Sequence, residues 1–252
     1  MSESDMSDPA AVRLPILRVR PKDLPPAVLV VGDPDRATAI AGLLEGAEEI
    51  GRYREYVSYR AQHRGSPVGI VSHGVGAAGA GICFEELCRA GVRTIVRAGT
   101  AGGMQDHVTD GHVVVASAAV RDDGFTERLV PLSYPAVASR RLTGLLADGA
   151  AATALTVHEG VVLTGALFYP LDVLGGDLEL WQRAGTVAVE MECAALFVIA
   201  AQHGVEAAAI LTIDGNPLAA KDTTMSGYDP HRSSVRAAVE ATVRVALDAL
   251  VA

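Results

Sequence analysis

Short runs of β-branched residues alternate along this chain with alanine-rich stretches of helical spacing. Residues 27–31, Ala-Val-Leu-Val-Val, form an unbroken apolar run that stops at Gly32-Asp33-Pro34. With no polar position left to face water, the run predicts a strand covered on both faces. Residues 35–44 follow with helical spacing. Residues 68–72 predict a second strand, ending at His73-Gly74, and residues 77–90 a helix stopped by Gly91. Residues 94–98 predict a third strand, running out into Gly99-Thr100-Ala101-Gly102-Gly103. Further strands are expected at 113–119, 161–163 and 208–213, the last ending at Asp214-Gly215. A helix is expected over 191–203, closing on Gly204. A long amphipathic helix is expected over 233–251, with Ser233 or Ser234 as its N-cap.

Strand–helix alternation over the whole length predicts an α/β protein with a mostly parallel or mixed sheet. No linker, low-complexity stretch or repeat divides the chain. We therefore expect a disordered tail at 1–14 and one domain over 15–252. In such sheets ligands sit outside the carboxyl ends of the strands, so each glycine-rich or charged strand end is a candidate site wall.

Composition narrows the classes. The chain is 50% hydrophobic and 20% charged, which is core-forming and excludes global disorder. Its net charge of −9 and lack of a basic block argue against nucleic acid and anionic membrane surfaces as partners. A pocket for a small anion stays open, since it needs only a few arginines. Cys83, Cys88 and Cys193 are too few and too unevenly placed for a disulfide framework or a zinc site, so no metal is expected. Reduced thiols and no readable secretion signal suggest the cytoplasm.

Five strand ends carry candidate chemistry. After the first strand, Gly32 lets backbone amides approach an anion, the next helix start adds a favourable dipole, and Arg36 adds a guanidinium. The plainer reading is a capped turn. Arg97 lies near the end of an apolar strand, where its charge is costly unless paired, with Thr100 and glycine amides beside it. The plainer reading is an internal arginine–carboxylate pair. Glu190-Met191-Glu192 offers carboxylates for the vicinal hydroxyls of a ribose, or merely charges at a helix start. Asp214 closes a buried strand, where an acid can keep and donate a proton, unless it only forms an Asx turn. Phe168 could stack on a heterocycle or simply fill the core.

Taken together and in this order, these segments resemble the nucleoside phosphorylase family of hexameric purine nucleoside and uridine phosphorylases. The motifs are Gly32-Asp33-Pro34-Asp35-Arg36, Arg54-Glu55-Tyr56, Ser72-His73-Gly74-Val75-Gly76, Arg97-Ala98-Gly99-Thr100, Glu190-Met191-Glu192 and Ile213-Asp214-Gly215. They run from about Val28 to the last helix. The resemblance implies a single α/β domain with a central mixed sheet flanked by helices, and reversible phosphorolysis of an N-glycosidic bond. It also implies that Gly32, Arg36, Arg97 and Thr100 hold phosphate, with Arg54 reaching in from a neighbouring subunit. Met191 and Glu192 would hold the ribose, with Glu190 also among the nucleoside-binding residues, Phe168 would flank base and sugar, and Asp214 would protonate purine N7. Inorganic phosphate is the co-substrate, and no metal or organic cofactor is implied. The partners are nucleoside and phosphate in a homo-oligomer, either a hexamer built as a trimer of dimers or a dimer.

Departures from the family refine this expectation. Many members carry a histidine near the N-terminus that reaches the neighbour's 5′-hydroxyl, and the matching position here falls near Ile16. An apolar residue there would favour 5′-deoxy or 5′-methylthio nucleosides. Uridine phosphorylases read uracil with a Gln-x-Arg pair where this chain has Leu171-Asp172-Val173-Leu174-Gly175-Gly176, which favours purines. Residues 216–228 are expected to flap over the base. The alternatives are uridine phosphorolysis, a nucleosidase using water, and a nucleoside binder without chemistry.

Overall fold

The apolar run at the start of the domain becomes β1 (Ala27–Val31), buried between two parallel neighbours, β4 (Ser66–Ser72) and β5 (Thr94–Gly103). The structure, a computed structural model, describes residues 12–171, 173–218 and 232–252. Residues 1–11 of the expected tail lie outside the described residues. At its end Leu14 already packs on the core, and its N–H donates to the Val19 carbonyl at 2.8 Å.

β5 belongs to two sub-sheets. One of its edges pairs in parallel with β10 (Glu206–Gly215). Its other edge pairs with β1 as far as Arg97, then with antiparallel β9 (Ala188–Glu190) at Gly102 and Gly103. Between those contacts, residues 98–101 have no strand partner on that edge among the described residues. β6 (Val113–Asp122) runs antiparallel to β10 and parallel to β8 (Val157–Gly165), which in turn is parallel to β9. β5, β10, β6, β8 and β9 thereby close a ring, and β1, β4, β3 (Tyr56–His63) and β2 (Glu45–Tyr53) extend from β5 as a wing. A short β7 (Ala136–Val137) pairs with β6. Ring and wing part at residues 98–101, so backbone groups there are left for a ligand, as at the switch points of other α/β sheets.

Helices flank this mixed sheet. α1 (Pro34–Ala41) starts directly after β1, with Pro34 at its first turn and the Asp33 carboxylate accepting from Asp35 N–H at 2.8 Å. α2 (Ala77–Arg89) packs on α5 (Cys193–His203), which is buried along residues 193–200 and apolar all round, as an internal helix must be. Gly204, in the left-handed conformation at φ 66°, ends α5. α3 (Arg140–Ala151) and α6 (Ser233–Leu250) pack on each other and on the strands. The short α4 (Leu178–Arg183) precedes β9. No helix among the described residues is long and apolar enough to cross a membrane.

Several boundaries differ from the sequence expectation. β5 continues through the glycine run to Gly103, since Cβ atoms at Gly102 and Gly103 would strike Pro217 and the Val108 carbonyl. α5 starts at Cys193 because Glu190 ends β9 and Glu192 is the N-cap. α6 has Arg232 as its N-cap, which puts Ser233 inside the first turn. The apolar pattern did not announce β2, β3, β7, β9, α3 or α4. β2 in particular is an exposed edge strand, with Glu48 paired to Arg60 at 2.6 Å across the ladder.

Candidate active site

One cavity of about 1830 Å³ opens where ring and wing separate. It exceeds the roughly 300–1,000 Å³ typical of ligand pockets, leaving room for two substrates together. Gly32, Arg36, Arg97 and Thr100 line it, as do Phe168, Glu190, Met191, Glu192 and Asp214. These residues come from separate strand ends that the chain alone does not show to be neighbours.

Arg97 is the last β5 residue paired with β1, and its side chain is only 4% exposed. Arg97 and Gly99 point to the same side of the strand, and a Cβ on Gly99 would lie 2.8 Å from the guanidinium carbon. Glycine therefore lets the guanidinium fold back over its own strand. One terminal nitrogen donates to Glu192 at 2.5 Å and lies 3.4 Å from Glu190. The other donates to His73 Nε2 at 3.0 Å. Burial works against the charge, but Glu192 and Glu190 outweigh it, so Arg97 titrates above the usual arginine value. Its buried Nε finds no acceptor among the described residues. A buried donor left over in this way suits an incoming anion.

His73 is fully buried, with Phe84 edge-on at 5.3 Å. Because Nε2 accepts from Arg97, Nδ1 carries the proton and donates to the Gly74 carbonyl at 2.8 Å. Burial, then the Arg97 charge, push its pKa well below 6.5. On unfolding, the imidazole can take up a proton that the native state refuses. Stability should therefore fall as pH drops below about 6.5, and His73→Asn should remove part of that slope. Urea unfolding of both proteins between about pH 5 and 7 checks this.

Glu192 is 4% exposed and accepts from Gly76 N–H at 2.6 Å as well as from Arg97. Burial pushes its pKa up, Arg97 opposes that, and Glu190 adds to it. Asp214 is 5% exposed and sits at a β-bulge, where β10 slips against β5 between Ile213 and Gly215. Bulges re-aim side chains, and this one brings Asp214 to the cavity wall. The Phe168 ring stands edge-on to Tyr169 at 4.9 Å and is 52% exposed, so it is not core.

Arg54 is placed differently. It sits at the exposed tip of the β2–β3 hairpin with φ 55°, its guanidinium 5.3 Å from the Tyr53 ring, and it does not line this cavity. Its neighbour Glu55, quoted in the same motif but given no role of its own, does line it. Ile16 also lies off the cavity, and its N–H donates to Glu86 at 2.9 Å. Of the expected flap, Asn216 and Pro217 line the cavity, while residues 219–228 lie outside the described residues. Sequence reasoning also gave no role to Thr164, and little to His73. The apolar pattern carries no signal for a buried hydroxyl.

The sequence model of the phosphorylase superfamily matches residues 26–252. Purine nucleoside phosphorylase of Plasmodium falciparum is 35% identical over 202 residues, 80% of this chain and 82% of that protein. Uridine phosphorylase of Escherichia coli strain K12 is 36% identical over 191 residues, 71% of this chain and 76% of that one. The crystal structure of Toxoplasma gondii purine nucleoside phosphorylase with immucillin-H superimposes with a TM-score of 0.88 at 30% identity, covering 94% of this chain and 95% of that one. With a match that spans almost the entire folded chain, the protein belongs to the phosphorylase superfamily and is an enzyme of the nucleoside phosphorylase type.

Proposed function

We infer that the enzyme cleaves purine nucleosides with inorganic phosphate, releasing the free base and a pentose 1-phosphate. The observation that carries this reading is the shared cavity of Arg36, Arg97 and the buried acid Asp214. As the glycosidic bond breaks, the sugar gains oxocarbenium character. A phosphate oxyanion held by Gly32, Arg36, Arg97 and Thr100 stabilises that cation and then bonds to C1′. The bonding electrons leave with the base, and Asp214 gives its proton to N7. Glu192 and Met191 hold the ribose, and Phe168 flanks base and sugar. Arg54 acts from a neighbouring copy in a homo-oligomer, in keeping with its exposed place off its own cavity. The sequence favours purine over uracil, because residues 171–176 lack a Gln-x-Arg pair. The three buried, unpaired cysteines support a cytoplasmic setting, and no cofactor is invoked.

Inosine, guanosine, adenosine, 5′-methylthioadenosine and uridine, each assayed with and without phosphate, test the reading. Purine nucleosides should turn over only with phosphate, and 5′-methylthioadenosine should compete well, given Ile16. Equal rates without phosphate would mean that water is the nucleophile. A faster reaction with uridine would reverse the base preference.

A further inference from the structure

We propose that Glu190 and Thr164 do not meet the substrate, but hold Arg97 and Glu192 in the pose in which those two meet it. This rests on the phosphorolytic reading above. Glu190 borders the cavity, yet its side chain is only 1% exposed and its acceptor positions are filled. Oε1 accepts from the Thr164 hydroxyl at 2.6 Å and from Cys193 N–H at 2.9 Å. Oε2 accepts from Glu192 N–H at 2.8 Å, shares Cys193 N–H at 2.9 Å, and faces Arg97 at 3.4 Å. A carboxylate has about four lone-pair sites, so nothing is left for a ribose hydroxyl.

What Glu190 does instead follows from its donors. By accepting from Glu192 and Cys193 it fixes the backbone at the start of α5, and hence the point from which the Glu192 side chain leaves. By facing Arg97 it gives the guanidinium a second counter-charge, so Glu192 is not its sole partner. Thr164 secures this arrangement. Its hydroxyl is fully buried, donates to Glu190, and accepts from Ala194 N–H at 2.9 Å. One hydroxyl thus ties β8, β9 and α5 together. The alternation of β8 fits, since Leu163 and Gly165 line the cavity and Thr164 does not. Thr164 and Glu190 are positioning residues, and Arg97 and Glu192 are the groups they aim.

The test measures phosphate affinity by calorimetry, and steady-state kinetics for phosphate and inosine, on the full chain. Thr164→Val keeps the shape and removes the hydroxyl. It should raise the Kd and KM for phosphate about tenfold, the cost of ordering a freed side chain at each binding event. kcat at saturating phosphate should stay within about threefold of wild type, which separates aiming from chemistry. Thr164→Ser, which restores the hydroxyl, should recover the phosphate affinity. Glu190→Gln, with one carbonyl oxygen in place of two acceptors, should reproduce the defect, and it decides the matter if the valine variant does not fold. Wild-type phosphate affinity in Glu190→Gln or in folded Thr164→Val overturns the proposal. So does a loss of kcat and melting temperature with phosphate affinity unchanged, the mark of a purely structural role. A wild-type enzyme that binds no phosphate overturns the phosphorolytic reading itself, and is told apart by that measurement.

Discussion

Asp214→Ala should lower inosine turnover by about 100-fold or more at saturating inosine and phosphate, the usual contribution of a general acid. A purine leaving as an anion would carry its charge into a mostly apolar cavity. Neutralising that charge is the role proposed for Asp214, which sits at the bulge in β10. A substrate that needs no proton isolates the effect. In 7-methylguanosine the base is already cationic and leaves neutral, so Asp214→Ala should cleave it nearly as fast as the wild type does. A wild-type rate on inosine removes Asp214 from the mechanism. Equal losses on both nucleosides assign it a structural role instead.

Arg97→Ala should have the larger total effect, because it acts on both binding and folding. If Arg97 holds phosphate as proposed, the substitution should raise the phosphate KM by about 100-fold, as for loss of a charge-assisted bond to an anion. It also strands Glu190 and Glu192, with side chains 1% and 6% exposed, without their shared counter-charge. Breaking one side of a buried ion pair costs about 3–5 kcal/mol, so the melting temperature should fall as well. Arg97→Lys separates the two effects. Its ammonium keeps a positive charge near the carboxylates and so should restore much of the stability, but it lacks the planar fork and should recover phosphate binding less well. Unchanged phosphate saturation in both variants would deny an anion site at this strand end.

Much of this was legible in the sequence wherever a segment is buried on all sides. Residues 27–31 can only be an internal strand, and the structure returns those bounds for β1. Gly91 and Gly204 mark helix ends because left-handed backbone there favours glycine. The carboxyl-end rule brought Gly32, Arg97 and Asp214 to one place, although they are far apart in the chain. Other features leave no local trace. β2 is polar and exposed, so nothing apolar repeats along it. The bulge at Asp214 is a mismatch between two strands, and neither strand records it alone. The two plain readings set against function, an internal ion pair for Arg97 and a helix-start charge for Glu190, both describe real contacts here. Arg97 lines the cavity even while it is paired, so the internal pair does not take it away from the cavity.

The forked edge of β5 divides responsibility between two halves of the molecule. Gly32 and Gly74 belong to the wing, Asp214 and Phe168 to the ring, and only β5 is common to both. On the proposed reading, substitutions in the loop beyond β8 would therefore reshape the space for a heterocycle while the oxyanion seat keeps its form. A lineage built on this plan could then exchange one base for another by altering residues 166–178, with the shared co-substrate undisturbed.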